Sequence, residues 1–292
     1  MPATNPPRFD LQSHSTCSDG ALPPAGVVAA AAAAGVQALA LSDHDSVEGV
    51  AEAIAAGREH GVRIVRAVEI SAIHRGELDL HILGYGIDHE HPALAEALEA
   101  YRRDRDLRAH RMGQALIELG FTVDLSFIDE RQAAGQTVGR PHLAEAVVGE
   151  PANAERLAAE GIDGISPMIA SYLIEGKPAF RMREIPTVSQ AVELIHRVGG
   201  VAVWAHPFWD IKDAEDVGET IGVFRDWGID GVEAFYVTHD REQTLFAAEQ
   251  ARSRGMLTTG SSDFHGPEHK LFSRFCAFEL HGLTPELGPI LD

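Results

Sequence analysis

The chain has 292 residues, 45% of them hydrophobic, which is enough for a full globular core; 24 basic against 44 acidic residues give a formal charge of −20. That balance excludes a broad basic surface for long duplex nucleic acid, because phosphate backbones are held mainly by Lys and Arg. The most apolar stretch, Val27 to Leu41, is broken by Gly35 and Gln37 and too short to span a bilayer, and two cysteines, Cys17 and Cys276, suit a reducing compartment. With no secretory leader pattern, a cytoplasmic protein with no membrane partner is expected.

Arg8 to Ser13 reads as a short strand and Pro23 to Ala34 as a helix opened by prolines and closed by Gly35. Ala38 to Leu41 is a second strand, followed by a helix from about Val47 to Glu59 that Gly61 ends. Arg63 to Ile70 and Leu78 to Tyr85 are the third and fourth strands. From residue 92 to 180 the sequence turns polar and helical, with arginines dense between Tyr101 and Arg111, and reads as an insertion. The strand and helix rhythm resumes with a helix at Val188 to Val198 and a strand at Val201 to Ala205. A helix at Val217 to Trp227, a strand at Gly231 to Val237, a helix through Arg254 and a strand at Leu257 to Gly260 follow, with Arg274 to Leu280 as a possible last strand. Alternating strands and helices imply crossovers and a largely parallel α/β sheet or barrel, formed by residues 1–91 and 181–292 around the insertion.

The expected strand ends carry metal-binding residue types. They deliver His14 with Asp19, His44, Glu69, His206, and Asp263 with His265, while His81 lies within a strand. In a parallel barrel all strand C-termini open on one face, so residues distant in sequence meet there. Imidazoles mixed with carboxylates suit Mn, Fe or Zn better than Ca or Mg, and this many ligands implies two or three ions with Glu69 as a bridge. His81 also fits a core histidine, His206 a strand cap, and Asp43 either an N-cap or part of the chemistry.

The segments Asp10-Leu11-Gln12-Ser13-His14-Ser15 with Ser18-Asp19-Gly20, Ser42-Asp43-His44-Asp45, Glu69, His81, Ala205-His206-Pro207 and Ser262-Asp263-Phe264-His265 resemble, in order, the motifs of the PHP (polymerase and histidinol phosphatase) family. Gly139-Arg140-Pro141-His142 and Glu175-Gly176-Lys177-Pro178 resemble its stand-alone phosphoesterases, which act on nucleoside 3',5'-bisphosphates or 5'-phosphorylated RNA ends. The resemblance implies a distorted (β/α)7 barrel with two or three ions, often Mn. It places His14, Glu69 and Asp263 on one ion, Glu69, His81 and His206 on a second, and Asp19, His44 and His265 on a third. Where the family usually has His-x-His this chain has Gln12-Ser13-His14, which costs the first ion an imidazole.

The implied activity is a phosphatase that removes the 3'-phosphate of a nucleoside 3',5'-bisphosphate, such as adenosine 3',5'-bisphosphate, through water activated by the metals. The alternatives are a 5'-3' exoribonuclease on short RNA, a histidinol phosphate phosphatase, or a non-catalytic PHP module. The proton for the leaving alkoxide is expected from His239, or from Asp43 or Asp45 beside His44. Arg102, Arg105, Arg140 and Lys177, with His44 and His239, are the candidates to hold the small nucleotide substrate, arginine because its fork of donors matches phosphate. Trp209, Phe235 and Tyr236 are candidates to stack on its base.

Overall fold

The computed structural model describes residues 8–75, 78–133, 138–182 and 186–291. Seven strands form one sheet in sequence order: β1 (Phe9–Asp10), β2 (Ala38–Leu41), β3 (Arg63–His74), β4 (Leu78–Tyr85), β5 (Val201–Trp204), β6 (Gly231–Tyr236) and β7 (Leu257–Ser261). The sheet curls until its ends meet: the Leu11 amide donates to the Gly260 carbonyl, and Ser13 bridges Phe264 in parallel. The result is a distorted α/β barrel. Six strands run the same way, while β4 is antiparallel to both β3 and β5. A short hairpin joins β3 to β4, whereas parallel neighbours need helical crossovers.

Helices α1 (Pro24–Ala33), α2 (Val50–His60), α3 (Pro92–Glu118), α4 (Ser126–Ala133), α5 (Arg140–Val148), α6 (Ala154–Ala159) and α7 (Ile165–Met168) precede β5, with α8 (Val188–Arg197) just before it. Helices α9 (Pro207–Asp210), α10 (Ala214–Asp226) and α11 (Arg241–Ser253) follow. Local chemistry sets their ends. Gly61 takes a left-handed φ of 70° to stop α2, and Thr187 and Gln190 exchange side chain to backbone bonds at the start of α8. No helix among the described residues is long and apolar enough to cross a membrane.

Period-2 alternation divides the barrel core. Leu39 and Leu41 pack under α1 and α2 with Val27, Val28 and Ala53, while Ala40 turns inward to Leu11, Ala67, Tyr85 and Val203. The chain divides into two compact units, Met1–Leu98 with Pro186–Asp292, and Glu99–Ile185. The second has its own core, including Leu116, Phe121, Leu143, Val147 and Leu173.

Two expectations need correction. Arg274 to Leu280 forms no strand: the barrel edge it would occupy is already taken by the junction of β1 with β7, and Cys276 adopts a φ of 53°. The segment instead packs outside β1, where the Cys276 amide donates to Asp10 and Phe278 lies 5.5 Å from Phe9. Glu69, for its part, is not at a strand end, since β3 runs on to His74, whereas His81 lies within β4 as expected. Because β4 runs backwards, the first half of that strand faces the end of the barrel at which its neighbours finish.

Candidate metal centre

The site lies at the end of the barrel where the parallel strands other than β3 finish, with β3 running on past Glu69 to His74. His14 follows β1 and is pinned by its amide to the Phe264 carbonyl at 2.8 Å; His44 follows β2 and bridges Glu69 on β3; His81 comes from β4, His206 follows β5, and Asp263 and His265 follow β7. Turning donors inward puts His206 (φ 29°) and Asp263 (φ 53°) in the left-handed region, which costs a side-chain-bearing residue about 1–3 kcal/mol. Glycine would relieve that strain and lose the donor.

Glu69 is the centre, with no exposed surface. Its Oε1 lies 2.8 Å from His81 Nδ1 and 3.3 Å from His206 Nε2, while its Oε2 lies 3.1 Å from His14 Nε2 and 3.5 Å from His44 Nδ1. One carboxylate thus divides its two oxygens between two sets of imidazoles, as a bridging ligand does. Asp263 Oδ1 lies 3.0 Å from His14 Nε2. Asp19 sits 3.6 Å from His14, 3.7 Å from His44 and 3.5 Å from His265. Three groups of donors come within 4.8 Å of one another: His14, Asp19, His44 and His265; His44, Glu69 and His81; and His14, Glu69 and Asp263.

His14 Nε2, His44 Nδ1 and Asp263 Oδ1 are buried beside the other donors of the cluster and make no hydrogen bond. Orphaned polar atoms in a protein interior are costly, and a cation among them would satisfy several at once, so the residues present fit a metal cluster.

The electrostatics agree. Burial alone would raise the Glu69 carboxyl, but the imidazoles of His44, His81, His14 and His206 outweigh it and hold it well below the usual range. Burial would likewise raise Asp263, and His265 and His14 bring it down to about 2. Burial disfavours charge on His14 and His206 as well, yet the neighbouring carboxylates prevail and lift His14 well above, and His206 to about 9. His44 lacks enough compensation, and burial lowers it to about 4. Protons on His14 and His206 therefore balance carboxylates that metal ions would otherwise neutralise.

A supporting shell holds these donors. The Tyr236 hydroxyl donates to Asp263 Oδ2 at 2.7 Å, and the His206 amide donates to Glu233 Oε2 at 2.9 Å. The Ser261 hydroxyl donates to Glu233 Oε1 at 2.6 Å, and Asp10 accepts from the Ser262 amide at 2.9 Å and from its hydroxyl. Asp10 and Glu233 were not singled out as site residues. Their signal was present: a lone acid in an otherwise apolar strand is expensive to bury unless something is bonded to it.

The other predicted residues fall as follows. Gln12 does not offer an amide oxygen to the cluster; its nitrogen donates to Glu69 Oε2 at 3.0 Å, and its oxygen accepts from Ser261. Asp43 accepts from the Ser15 amide, the Ser15 hydroxyl and the Ser18 hydroxyl at 2.6–2.7 Å, and it caps no helix. Both its oxygens accept from the loop that carries His14 and Asp19, and burial raises its carboxyl above the usual range. Asp45 is similarly engaged with Ser71. His239 shares its Nδ1 with the Ala234 carbonyl at 3.2 Å and leaves Nε2 buried without a partner. Burial lowers His239 to about 4, so at neutral pH it lacks the proton a general acid donates.

Arg102, Arg140 and Lys177 belong to the second unit: Arg102 pairs with Glu99 at 3.1 Å, Arg140 opens α5, and Lys177 is exposed. The Arg105 side chain lies outside the described residues. Of the proposed base-stacking rings, Phe235 and Tyr236 are buried and belong to the core and the supporting shell, while Trp209 is 43% exposed.

Comparison with known proteins agrees with this architecture. Residues 10–148 match the PHP domain model. The chain is 34% identical over 260 residues to a 5'-3' exoribonuclease of Haemophilus influenzae, spanning 89% of this chain and 90% of that protein. It is 33% identical over 268 residues to a 3',5'-nucleoside bisphosphate phosphatase of Chromobacterium violaceum, spanning 89% and 87%. A solved structure of a Chromobacterium violaceum amidohydrolase with bound sulfate superposes with a TM-score of 0.76 at 30% identity, over 91% of this chain and 90% of that one. With the donors of that fold gathered at the mouth of its barrel, the chain belongs to the PHP family of phosphoesterases.

Proposed function

We propose that this protein is a metal-dependent phosphatase that removes the 3'-phosphate of nucleoside 3',5'-bisphosphates, with Mn as the favoured ion. The observation that carries the reading is Glu69, whose two oxygens serve His81 and His206 on one side and His14 and His44 on the other. Divalent ions bound there would supply an activated water and neutralise charge on the transferring phosphoryl group. His14, Glu69, His81, His206 and Asp263 would hold two of them, and Asp19, His44 and His265 a third. The chain's own contribution is positioning: Tyr236 orients Asp263, Glu233 fixes the His206 backbone, and Asp43 fixes the loop bearing His14.

A second reading, 5'-3' exonuclease action on short 5'-phosphorylated RNA, is favoured by the likeness to the Haemophilus influenzae enzyme. The two are separated by comparing phosphate release from adenosine 3',5'-bisphosphate with mononucleotide release from a 5'-phosphorylated RNA oligomer, both by Mn-loaded protein. Comparable or faster turnover of the oligomer would remove the strict phosphatase reading.

A further inference from the structure

We propose that Trp209, backed by Phe272, is the seat of the nucleobase, which makes this site selective for nucleotides over small phosphate monoesters while tolerant of base identity. The inference rests on the phosphoesterase reading of the same mouth.

Trp209 is fixed close to the cluster. Its amide donates to the His206 carbonyl at 2.8 Å within α9, so the indole stands three residues from a candidate metal donor. Lys212 steadies the turn: its ammonium donates to the carbonyls of Phe208 and Trp209 and lies 5.7 Å from the indole centroid. Across the mouth, the loop after β7 brings Phe272 to the same place. The His265 amide donates to the Phe272 carbonyl at 2.9 Å, and the Phe272 amide donates to His269 Nδ1 at 3.0 Å. The Phe272 ring stacks on His269 at 4.9 Å, sits 5.5 Å from His265 and meets the indole at 5.7 Å. A continuous run of rings therefore leads from an exposed indole, through one phenyl group, to an imidazole of the cluster.

Exposed large side chains are ordinary when scattered; here Trp209, 43% exposed, follows His206 by three residues and is one ring, Phe272, away from His265. Trp227 offers a contrast. It is 41% exposed, but stacks on Phe224 and meets His74 edge-on, with no candidate donor of the cluster among its described ring contacts. A π-face beside a phosphate-hydrolysing centre matches a base joined through the ribose to the phosphate under attack. Stacking on this ledge accepts every base, because each has a π-face.

The test compares kcat/KM for adenosine 3',5'-bisphosphate with that for ribose 3,5-bisphosphate, which lacks the base, in Mn-loaded wild type, Trp209→Ala and Trp209→Phe. Loss of the indole should reduce the ratio of the two about tenfold, equivalent to ~1.4 kcal/mol, mainly through KM, and Trp209→Phe should recover most of it. An unchanged ratio in Trp209→Ala overturns the proposal. Should wild type hydrolyse neither substrate, the phosphatase reading fails, and the ledge is judged by fluorescence in a Trp227→Phe background. Saturable quenching by adenosine 5'-monophosphate, absent in Trp209→Phe, supports it; no quenching overturns it. Trp204 is fully buried and does not confuse that signal.

Discussion

Asp43→Ala separates a catalytic acid from a structural anchor. Its carboxylate accepts three hydrogen bonds, from the Ser15 amide, the Ser15 hydroxyl and the Ser18 hydroxyl, and all three residues are buried. The two hydroxyls can rotate to other acceptors, so each should cost no more than about 1 kcal/mol; the amide cannot, and an orphaned buried N–H costs about 1–3 kcal/mol. The sum is about 1–5 kcal/mol, while Asp43→Asn, which keeps one oxygen for the amide, should cost about 1–2 kcal/mol. Urea denaturation of the metal-free protein reads both. The same loop carries His14 and Asp19, so Mn affinity measured by calorimetry should weaken in parallel in Asp43→Ala. If Asp43→Ala unfolds within about 1 kcal/mol of wild type and binds Mn normally while kcat collapses, Asp43 is a catalytic acid and the anchoring argument is wrong.

Other expectations follow from the same geometry. Saturating Mn should raise the Tm of the metal-free protein by roughly 5–10 °C, and Glu69→Gln should abolish both that shift and phosphate release; a full shift in the variant would remove Glu69 as a bridging ligand. Burial raises Glu233 to about 8 against an ordinary 4.5. The stability this group contributes is therefore present below pH 4.5 and lost as pH rises through 8. Between those limits it costs the metal-free protein up to about 1.4 kcal/mol per pH unit, and Glu233→Gln should flatten that slope in denaturation measured from pH 5 to 8. A Cβ at Gly20 would collide with the His14 carbonyl. Gly20→Ala should thus weaken Mn binding at least tenfold without altering the core near-ultraviolet signal, and unchanged binding would show that the loop can adapt.

Which residues meet was readable because a histidine or carboxylate at the end of an apolar run has few reasons to be there; His14, Glu69, His206 and Asp263 all come together. Direction was not readable. The run Leu78 to Tyr85 looks the same whichever way it travels, so the reversal that brings His81 to the mouth needed coordinates. Arg274 to Leu280 has strand-like composition, but whether an edge is free for it depends on ring closure between distant segments. Supporting roles were hidden for a related reason. Glu233 and Tyr236 act through neighbours fixed by register, a property of pairs of strands rather than of either sequence alone.

Ring closure also orders events during synthesis. His14, Asp19, His44, Glu69 and His81 leave the ribosome first, and His206 is 125 residues behind His81. At cellular elongation rates that gap is roughly 6–25 s. For that interval the nascent chain holds five of the candidate donors in a half-built ring, and only the arrival of β5 to β7 fixes the spacing by which the finished cluster would select a cation.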